Sequence, residues 1–500
     1  MKKIMTAALA CAMIVASLCA CSQEPEQQPT GQPAPLPASY NLLDEGRVTS
    51  TKDQSATGMC ASFSAIKASE SSIITDGYAD ADIDLSEAQL FYYCFSYQDE
   101  KVPENVRDSI FLPGDRTDSD GTTFRYGAHT FDLLNEFANG HGPVNESVVE
   151  FSTKNFMKDV HNLHDAHENG DISYDMSGDY LLTDINVFRG LDNDDCYQRA
   201  SIDVIKKAII DDGALVASTA YADGLRRNTK EYTSFYAGVC NDNIFDFVNH
   251  GIAIIGWDDN FSKENYGFYK PENDGAWLVQ NSMGTIFGKD GLYWSSYEEA
   301  LAGMTTLNFC PRDDYGDILY HDSLWMGGVI RNDSGDTVTA NVFTVDEDCA
   351  LKAVGVPTSA IGQPVVIRVF RNSDANCPDN GERVAKLETT IGNPGYHVVD
   401  LEETVKFSKG DRLSIVITYK ADENGENEWL GKVPVEADLT EEEKELYLPM
   451  EYRFCSQPGQ SFVVYENKWY DTSVPATAEL FGLDVTLNNF GIKALMENTQ

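Results

Sequence analysis

The chain has 500 residues, enough for two or three domains, and 42% of them are hydrophobic and 11% aromatic, so folded cores are expected. The 80 acidic residues outnumber the 37 basic ones, and the formal net charge is −43. Such a charge repels phosphate backbones, so the sequence excludes nucleic acid as the main partner and indicates a well-solvated acidic surface.

The N-terminal segment has the pattern of an export signal. Residues 1–21 contain two lysines, then an apolar stretch that is short for a membrane-spanning helix, then small residues. The end of this segment, Leu18-Cys19-Ala20-Cys21, resembles the lipobox of bacterial lipoproteins. This resemblance implies lipidation of Cys21, a membrane anchor, and a location in the cell envelope or on the cell surface; an ordinary cleavable signal is the alternative. Residues 22–39 are rich in proline, which predicts an extended linker.

The remaining sequence divides into two regions with different patterns. Residues 40–311 contain apolar residues at helical spacing in some segments and short apolar strand runs in others, which predicts an α+β domain. Residues 312–500 contain short runs of β-branched and aromatic residues between turns, which predict an all-β sandwich. Helices are predicted over Ala61–Ile74 and Ile202–Asp211. Strands are predicted over Ile252–Trp257, Ala276–Val279, Thr337–Val345, Pro364–Phe370, Arg412–Tyr419 and Phe462–Tyr465.

Eight of the eleven cysteines lie after the export signal, and these eight are widely and irregularly spaced without a CxxC pair, so neither a zinc site nor a dense disulfide framework is indicated. Asp118 and Asp120 begin a calcium-loop pattern that lacks its later ligands, and the sequence predicts no metal and no cofactor.

Cys60 lies at a position in the sequence that favours a nucleophilic thiol. Cys60 lies where a loop containing Gly58 gives way to the first predicted helix. A helix N-terminus favours negative charge and lowers the pKa of a thiol, which raises its thiolate fraction. Six residues upstream, Gln54 could direct its carboxamide N–H at a developing oxyanion, with the backbone N–H of Cys60 as the second donor.

Two later segments supply partners for this thiol. His250 directly precedes an apolar strand and could act as a general base and then as a general acid. Asn281 leaves the end of the next predicted strand, and its side-chain oxygen could accept the imidazole N–H that faces away from the thiol. Four other histidines, His129 and the three of the segment HNLHDAH, are expected at the surface.

These segments together resemble the papain-like cysteine proteases over about residues 40–300. The resemblance rests on DQ with Cys60, on NHG followed by IAIIGWDD, and on AWLVQNSMGTIFGKDGLYW. It implies that Cys60 is the nucleophile, His250 the base and Asn281 the residue that orients it. It further implies that Gln54 is the oxyanion donor and that Gly121 contacts the substrate backbone.

The sequence departs from the family pattern at three positions. Thr57 replaces the upstream cysteine of the family motif, Ala61 follows the nucleophile, and Met283 stands where a tryptophan normally follows Asn-Ser. In the family, that indole covers the hydrogen bond between histidine and asparagine. Methionine is smaller and flexible, so we expect weaker cover of this bond.

The C-terminal region resembles the lectin-like β-sandwich that accompanies papain-like domains in bacterial surface proteins. The leading interpretation is therefore a surface-anchored bacterial cysteine endopeptidase that hydrolyses proteins or peptides and carries an accessory lectin-like domain. The resemblance also implies surface glycans as partners, although no residue identifies a glycan site. Two alternatives are a glycan-binding adhesin with an inactive protease-like domain and a cell-wall amidase.

Overall fold

The computed structural model describes residues 35–96, 109–111, 127–151, 178–189, 197–238, 248–322, 327–441, 444 and 451–498. Its contacts divide the chain into two units, residues 1–37 and residues 38–500, and the described helices and strands all belong to the second unit. Within the described ranges, no helix combines the length and the apolar character that a membrane crossing requires.

The helices and strands of these ranges alternate in the first half and give way to strands in the second. The helices are α1 (Cys60–Thr75), α2 (Glu87–Ser96), α3 (Thr130–Ala138), α4 (Ile202–Asp212) and α5 (Pro475–Glu479). The strands up to residue 311 are β1 (Ser39–Asn41), β2 (Ser109–Phe111), β3 (Tyr180–Arg189), β4 (Leu215–Thr219), β5 (Arg227–Asn228), β6 (Thr233–Phe235), β7 (His250–Asp258), β8 (Ala276–Gln280), β9 (Leu292–Ser296) and β10 (Leu301–Pro311). The later strands are β11 (Ile318–Leu319), β12 (Gly327–Ile330), β13 (Thr337–Thr344), β14 (Cys349–Thr358), β15 (Gln363–Arg371), β16 (Glu382–Ile391), β17 (Gly395–Phe407), β18 (Arg412–Tyr419), β19 (Val433–Glu436), β20 (Glu451–Arg453), β21 (Ser461–Tyr465), β22 (Lys468–Asp471) and β23 (Lys493–Met496).

The central helix α1 is buried on nearly every side, and its sequence suits that position. All residues from Ala61 to Ile73 are buried, and small alanines and serines let neighbouring elements approach closely. Two of its serines, Ser64 and Ser69, satisfy their hydroxyls by donating to backbone carbonyls of the helix itself. The helices predicted over 61–74 and 202–211 and the six predicted strands are confirmed, with small differences at their ends.

One long sheet contains most strands of the N-terminal region together with four later strands. Its order is β11-β23-β14-β17-β3-β10-β4-β7-β8-β9-β6-β5, with β1 paired to β7, and all neighbours are antiparallel except β6 and β9. Helices α1, α2 and α3 pack together against this sheet around one apolar core, and α4 packs against a second apolar core. This arrangement brings the N-terminus of α1 to the start of β7, which is where the chemistry-bearing residues meet.

The C-terminal region is the predicted sandwich. A six-stranded sheet, β16-β15-β18-β13-β21-β22, faces the C-terminal strands of the long sheet. Both faces of β18 are buried, because Leu413, Ile415 and Ile417 enter the core between the two sheets, whereas Val416 belongs to a cluster on the other face.

The two regions share one sheet, a feature that the sequence did not predict. The first residues of β17, Gly395 to His397, pair with Asn186 to Asp184 of β3. Tyr396 is buried in the core that α1, α2 and α3 form, and the His397 ring lies 2.9 Å from an Asp184 carboxylate oxygen. The sandwich is therefore continuous with the N-terminal region through backbone hydrogen bonds.

This junction depends on a glycine, which gives a test of the fold. Gly395 has a φ of +130°, and a Cβ there would lie 1.7 Å from the carbonyl oxygen of Ile185. We expect Gly395→Ala to lower the free energy of unfolding by about 1–3 kcal/mol or more, because the backbone must leave a conformation reserved for glycine and β17 must move off β3. The measurement is thermal or denaturant unfolding of the whole protein.

The matched control for this test is Gly392→Ala. Gly392 lies in the same connection and has no heavy atom within 4 Å of the added Cβ. Equal stability of the two variants would contradict the role assigned to Gly395.

Candidate active site

Cys60 is the first residue of α1, as the sequence predicts. The preceding residue, Met59, makes no side-chain cap, so the N–H groups of the first turn remain available as hydrogen-bond donors. The Cys60 sulfur lies 3.9 Å from the carbonyl oxygen of Gly58. The thiol therefore stands at an uncapped helix N-terminus, where a negative charge is favoured.

His250 is brought to this thiol by the close packing of β7 on α1. His250 is the first residue of β7, and Gly251 follows it directly. A Cβ on Gly251 would lie 2.9 Å from the backbone nitrogen and the Cα of Ala61. The glycine therefore allows the strand to approach the start of the helix closely, which places the imidazole beside the thiol of Cys60.

Asn281 fixes which imidazole nitrogen faces the thiol. The Oδ1 atom of Asn281 lies 2.8 Å from Nε2 of His250 and also accepts the backbone N–H of Ser282 at 2.8 Å. Two donors converge on this atom, which identifies it as the amide oxygen and requires a proton on Nε2. Nδ1 is then the nitrogen that faces Cys60.

The thiol and the imidazole shift each other toward the charged forms. Burial alone would raise the pKa of Cys60, but the hydrogen bond and charge of His250, with backbone N–H groups of Gly251 and Ala61, lower it from the ordinary value. Burial alone would lower the pKa of His250, but Cys60 and the Asn281 hydrogen bond raise it. The opposite shifts favour a thiolate–imidazolium pair.

Gln54 lies beside this pair in a fixed orientation. Its Oε1 accepts the hydroxyl of Ser282 at 2.5 Å, and its Nε2 donates to the carbonyl of Thr57 at 2.8 Å. A carboxamide has two N–H groups, so one remains beyond the bond to Thr57. The Thr57 hydroxyl in turn donates to the Gln54 carbonyl at 2.7 Å, so the residue that replaces the family's cysteine holds the Gln54 loop.

One aromatic ring, that of Tyr221, contacts His250, and the hydrogen bond from His250 to Asn281 is buried. Met283 is half-buried, yet His250 and Asn281 are only 6% and 2% exposed. The ring of Tyr221 lies over His250 with 5.3 Å between ring centroids, and Tyr221 itself stacks on Phe235 at 5.1 Å. The hydrogen bond between His250 and Asn281 is therefore buried despite the loss of the indole.

A buried charge cluster anchors the loop that carries Gln54. The ammonium of Lys52 lies 2.8 Å from carboxylate oxygens of both Glu70 and Glu87. Burial raises the pKa of both carboxyl groups. At Glu70 the positive charges of Lys67 and Lys52 outweigh burial and lower the pKa below its ordinary value. At Glu87 burial outweighs the charge of Lys52 and raises the pKa to about 7. The loop is thereby tied to α1 and α2 two residues before Gln54.

Several predicted positions lie outside the described residues or differ from expectation. Gly121, the partial calcium pattern around it, the segment HNLHDAH and the lipidation position Cys21 all lie outside the described ranges. His129, expected at the surface, is half-buried, and burial lowers its pKa to about 4. Within the described ranges, no three His, Cys, Asp or Glu side chains cluster as metal ligands would.

Sequence reasoning missed the residues that orient the predicted ones. Ser282 and Thr57 fix the carboxamide of Gln54, and Tyr221 covers His250. Ser282 directly follows Asn281 and could have been inferred as a neighbour. Tyr221 follows β4 at a distance of 29 residues from His250, and no periodicity in the sequence signals their contact.

Comparisons with known proteins bear on this architecture. A sequence model of the family described as Lectin like domain matches residues 318–495, whereas no curated protein matches the sequence significantly. The fold is similar to the clostridial cysteine protease Cwp84 after propeptide cleavage, with a TM-score of 0.68, 21% identity, and coverage of 92% of this chain and 99% of that one. It is similarly close to the cysteine protease and lectin-like domains of Cwp84, a surface layer associated protein of Clostridium difficile, with a TM-score of 0.68, 21% identity, and coverage of 93% and 90%.

The chain has the fold of a papain-like cysteine protease followed by a lectin-like domain. The predicted fold class is confirmed: an α+β papain-like part is followed by a β-sandwich that contains residues 318–495, which match the Lectin like domain family. In the papain-like part, Cys60, His250, Asn281 and Gln54 lie in one cluster, although Gln54 and Asn281 are 227 residues apart in the chain.

The charge state of the papain-like site can be measured without a substrate. Because the pKa of Cys60 is lowered, its thiolate is present above that lowered value, and alkylation by iodoacetamide should reach its plateau below the pH range of an ordinary thiol. In His250→Ala the burial that raises the thiol pKa remains while the opposing charge is lost. The midpoint of the alkylation profile should therefore move to higher pH.

Cys377 provides an internal control for this profile. It is a free, half-buried cysteine whose thiol pKa is raised by burial and by Asp379. Alkylation rates of Cys60 and Cys377 can be followed separately by mass spectrometry of digested protein. The assigned charge state is wrong if the Cys60 midpoint lies at or above that of Cys377.

Proposed function

We propose that this protein is a bacterial cysteine endopeptidase that acts at the cell surface and hydrolyses peptide bonds in proteins. Cys60 is the nucleophile, His250 the acid and base, Asn281 the residue that orients His250, and Gln54 an oxyanion donor. The observation that carries the proposal is the grouping of the Cys60 thiol, His250 and Asn281, in which Nε2 of His250 lies 2.8 Å from Oδ1 of Asn281 and the thiol and the imidazole have opposite pKa shifts.

In the first step the thiolate of Cys60 attacks the carbonyl carbon of the peptide. A carbon–sulfur bond forms, and the π electrons of the carbonyl move to its oxygen. The second N–H of Gln54 and the backbone N–H of Cys60 donate to that oxyanion. The intermediate then collapses, the carbon–nitrogen bond breaks, and His250 transfers its Nδ1 proton to the leaving amine. The product is a thioester at Cys60 and a neutral imidazole.

In the second step a water molecule hydrolyses the thioester. Neutral His250 accepts a proton from water at Nδ1 as the water oxygen attacks the acyl carbon. The carbon–sulfur bond breaks, the carboxylic acid leaves, and the thiolate–imidazolium pair is restored. Throughout both steps the bond from Nε2 to Asn281 keeps the ring in one orientation.

The location and partners of the protein extend this proposal. The sequence around Cys21 supports a lipid anchor, and the proline-rich residues 22–39 would separate the folded unit from a membrane. The lectin-like domain that begins near residue 318 suits a role in binding surface glycans, which would hold the enzyme near its protein substrates.

The nucleophile is tested by Cys60→Ala. We expect this variant to lose hydrolysis of casein and of a fluorogenic peptide, because it removes the thiol that interacts with His250. Cys377→Ala, which removes a free thiol in the C-terminal sandwich, should retain the wild-type rate. Circular dichroism of each variant checks the fold.

Other outcomes of this experiment point to other functions. Casein hydrolysis by Cys60→Ala at the wild-type rate refutes the proposed nucleophile. An inactive wild type that binds a glycan array corresponds to an adhesin, and one that releases peptides only from peptidoglycan corresponds to a cell-wall amidase.

The anchor is tested by Cys21→Ser in a bacterial host. We expect wild type to partition into the detergent phase, because a diacylated cysteine supplies a large apolar surface, and the variant to remain in the aqueous phase. Cys11→Ser, inside the apolar stretch of the signal, is the control and should behave as wild type. Aqueous partitioning of wild type would refute lipidation.

A further inference from the structure

Tyr221 lies in contact with His250 although it is not one of the four predicted site residues. Tyr221 follows β4, the strand that pairs with β7, and its ring meets the imidazole of His250 at 5.3 Å with a tilt of 51°. On another side it stacks on Phe235, which is fully buried, and it lies 6.1 Å from the ring of Phe287. The ring is thus held between the apolar core and the base.

The backbone of Tyr221 is tied directly to the residue before the base. The N–H of Tyr221 donates to the side-chain oxygen of Asn249 at 2.8 Å, and the Asn249 amide donates back to the Tyr221 carbonyl at 2.9 Å. The Asn249 N–H also donates to the carbonyl of Thr219 at 3.1 Å. Tyr221 and His250 are therefore linked through Asn249 and cannot move independently.

The outer end of the ring is held as well. The phenol hydroxyl of Tyr221 donates to Asp223 at 2.7 Å. Arg226, on the same loop, lies over the ring of Phe287 with 4.5 Å between the guanidinium carbon and the ring centroid. Contacts at the backbone, the ring face and the hydroxyl restrict Tyr221 to one orientation, in which the ring faces the imidazole.

We propose that Tyr221 is a positioning residue for His250, covering the hydrogen bond between His250 and Asn281 from water in place of the absent indole. This inference rests on the proposed function. Its structural basis is that the bond is buried although Met283, at the position of that indole, is itself only half-buried. A ring that excludes water strengthens the bond, because a competing solvent donor and a high dielectric both weaken it.

The experiment compares Tyr221→Ala with Tyr221→Phe on one fluorogenic peptide. Tyr221→Ala exposes the bond, and kcat should fall roughly two- to tenfold, the value of one net hydrogen bond, while KM stays within about twofold. Tyr221→Phe keeps the ring and should recover most of kcat. A tyrosine at a different place, Tyr232, packs on Phe261 and donates to Asn265, so Tyr232→Ala controls for the loss of a large side chain.

A double-mutant cycle separates cover of the bond from a general loss of stability. Asn281→Ala alone removes the bond itself. If Tyr221 acts through that bond, Asn281→Ala should cost much less in the Tyr221→Ala background than in wild type. Additive losses, an unchanged kcat in Tyr221→Ala, or a failure of Tyr221→Phe to recover activity would each overturn the proposal.

Alkylation of Cys60 makes the outcome independent of the proposed peptidase activity. A hydrated, mobile imidazole stabilises the thiolate less, so Tyr221→Ala should slow the reaction of Cys60 with iodoacetamide at neutral pH, and Tyr221→Phe should restore it. Hydrolysis that persists in Cys60→Ala refutes the proposed function, whereas an alkylation rate unchanged by Tyr221→Ala refutes the role of Tyr221.

Discussion

The site depends on one close approach, that of β7 to the N-terminus of α1. The backbone of Gly251 packs against the first residues of the helix, and a single Cβ there would meet Ala61 at 2.9 Å. Only at this separation can His250 reach a thiol that the helix N-terminus also stabilises. The long sheet fixes the strand and the buried surface of α1 fixes the helix, so the pairing of thiol and imidazole is a consequence of core packing rather than of a flexible loop.

The same sheet connects the site to the C-terminal sandwich. From β7 it continues through β4, β10 and β3 to β17, and Tyr396 of β17 enters the core that surrounds α1. Strands that share backbone hydrogen bonds and a core do not move freely as separate bodies. The papain-like part and the sandwich are thus held in a defined orientation to each other.

The helices, the strands and the candidate site residues next to them could be predicted from the sequence. Contacts between residues that are far apart in the chain could not. The helix at Cys60 and the strand after His250 are strongly patterned, and the motif residues around them carry a recognisable resemblance. Tyr221 lies in a connection without periodicity, and the pairing of Gly395 with Asn186 joins residues more than 200 apart. Met283 identifies a missing indole in the linear pattern, but the pattern does not reveal that the ring of Tyr221 contacts His250.

The acidity of the whole protein and the charge of the site are separate matters. A net charge of −43 would oppose a thiolate if all carboxylates acted on it equally. At physiological salt, however, the field of an exposed charge is largely screened beyond about 8 Å. The groups that decide the ionisation of Cys60 are those that touch it: His250 and the N–H groups of Gly251 and Ala61 outweigh its burial. Tyr221 matters for the same reason, since keeping water from His250 preserves the short-range interactions on which the thiolate depends.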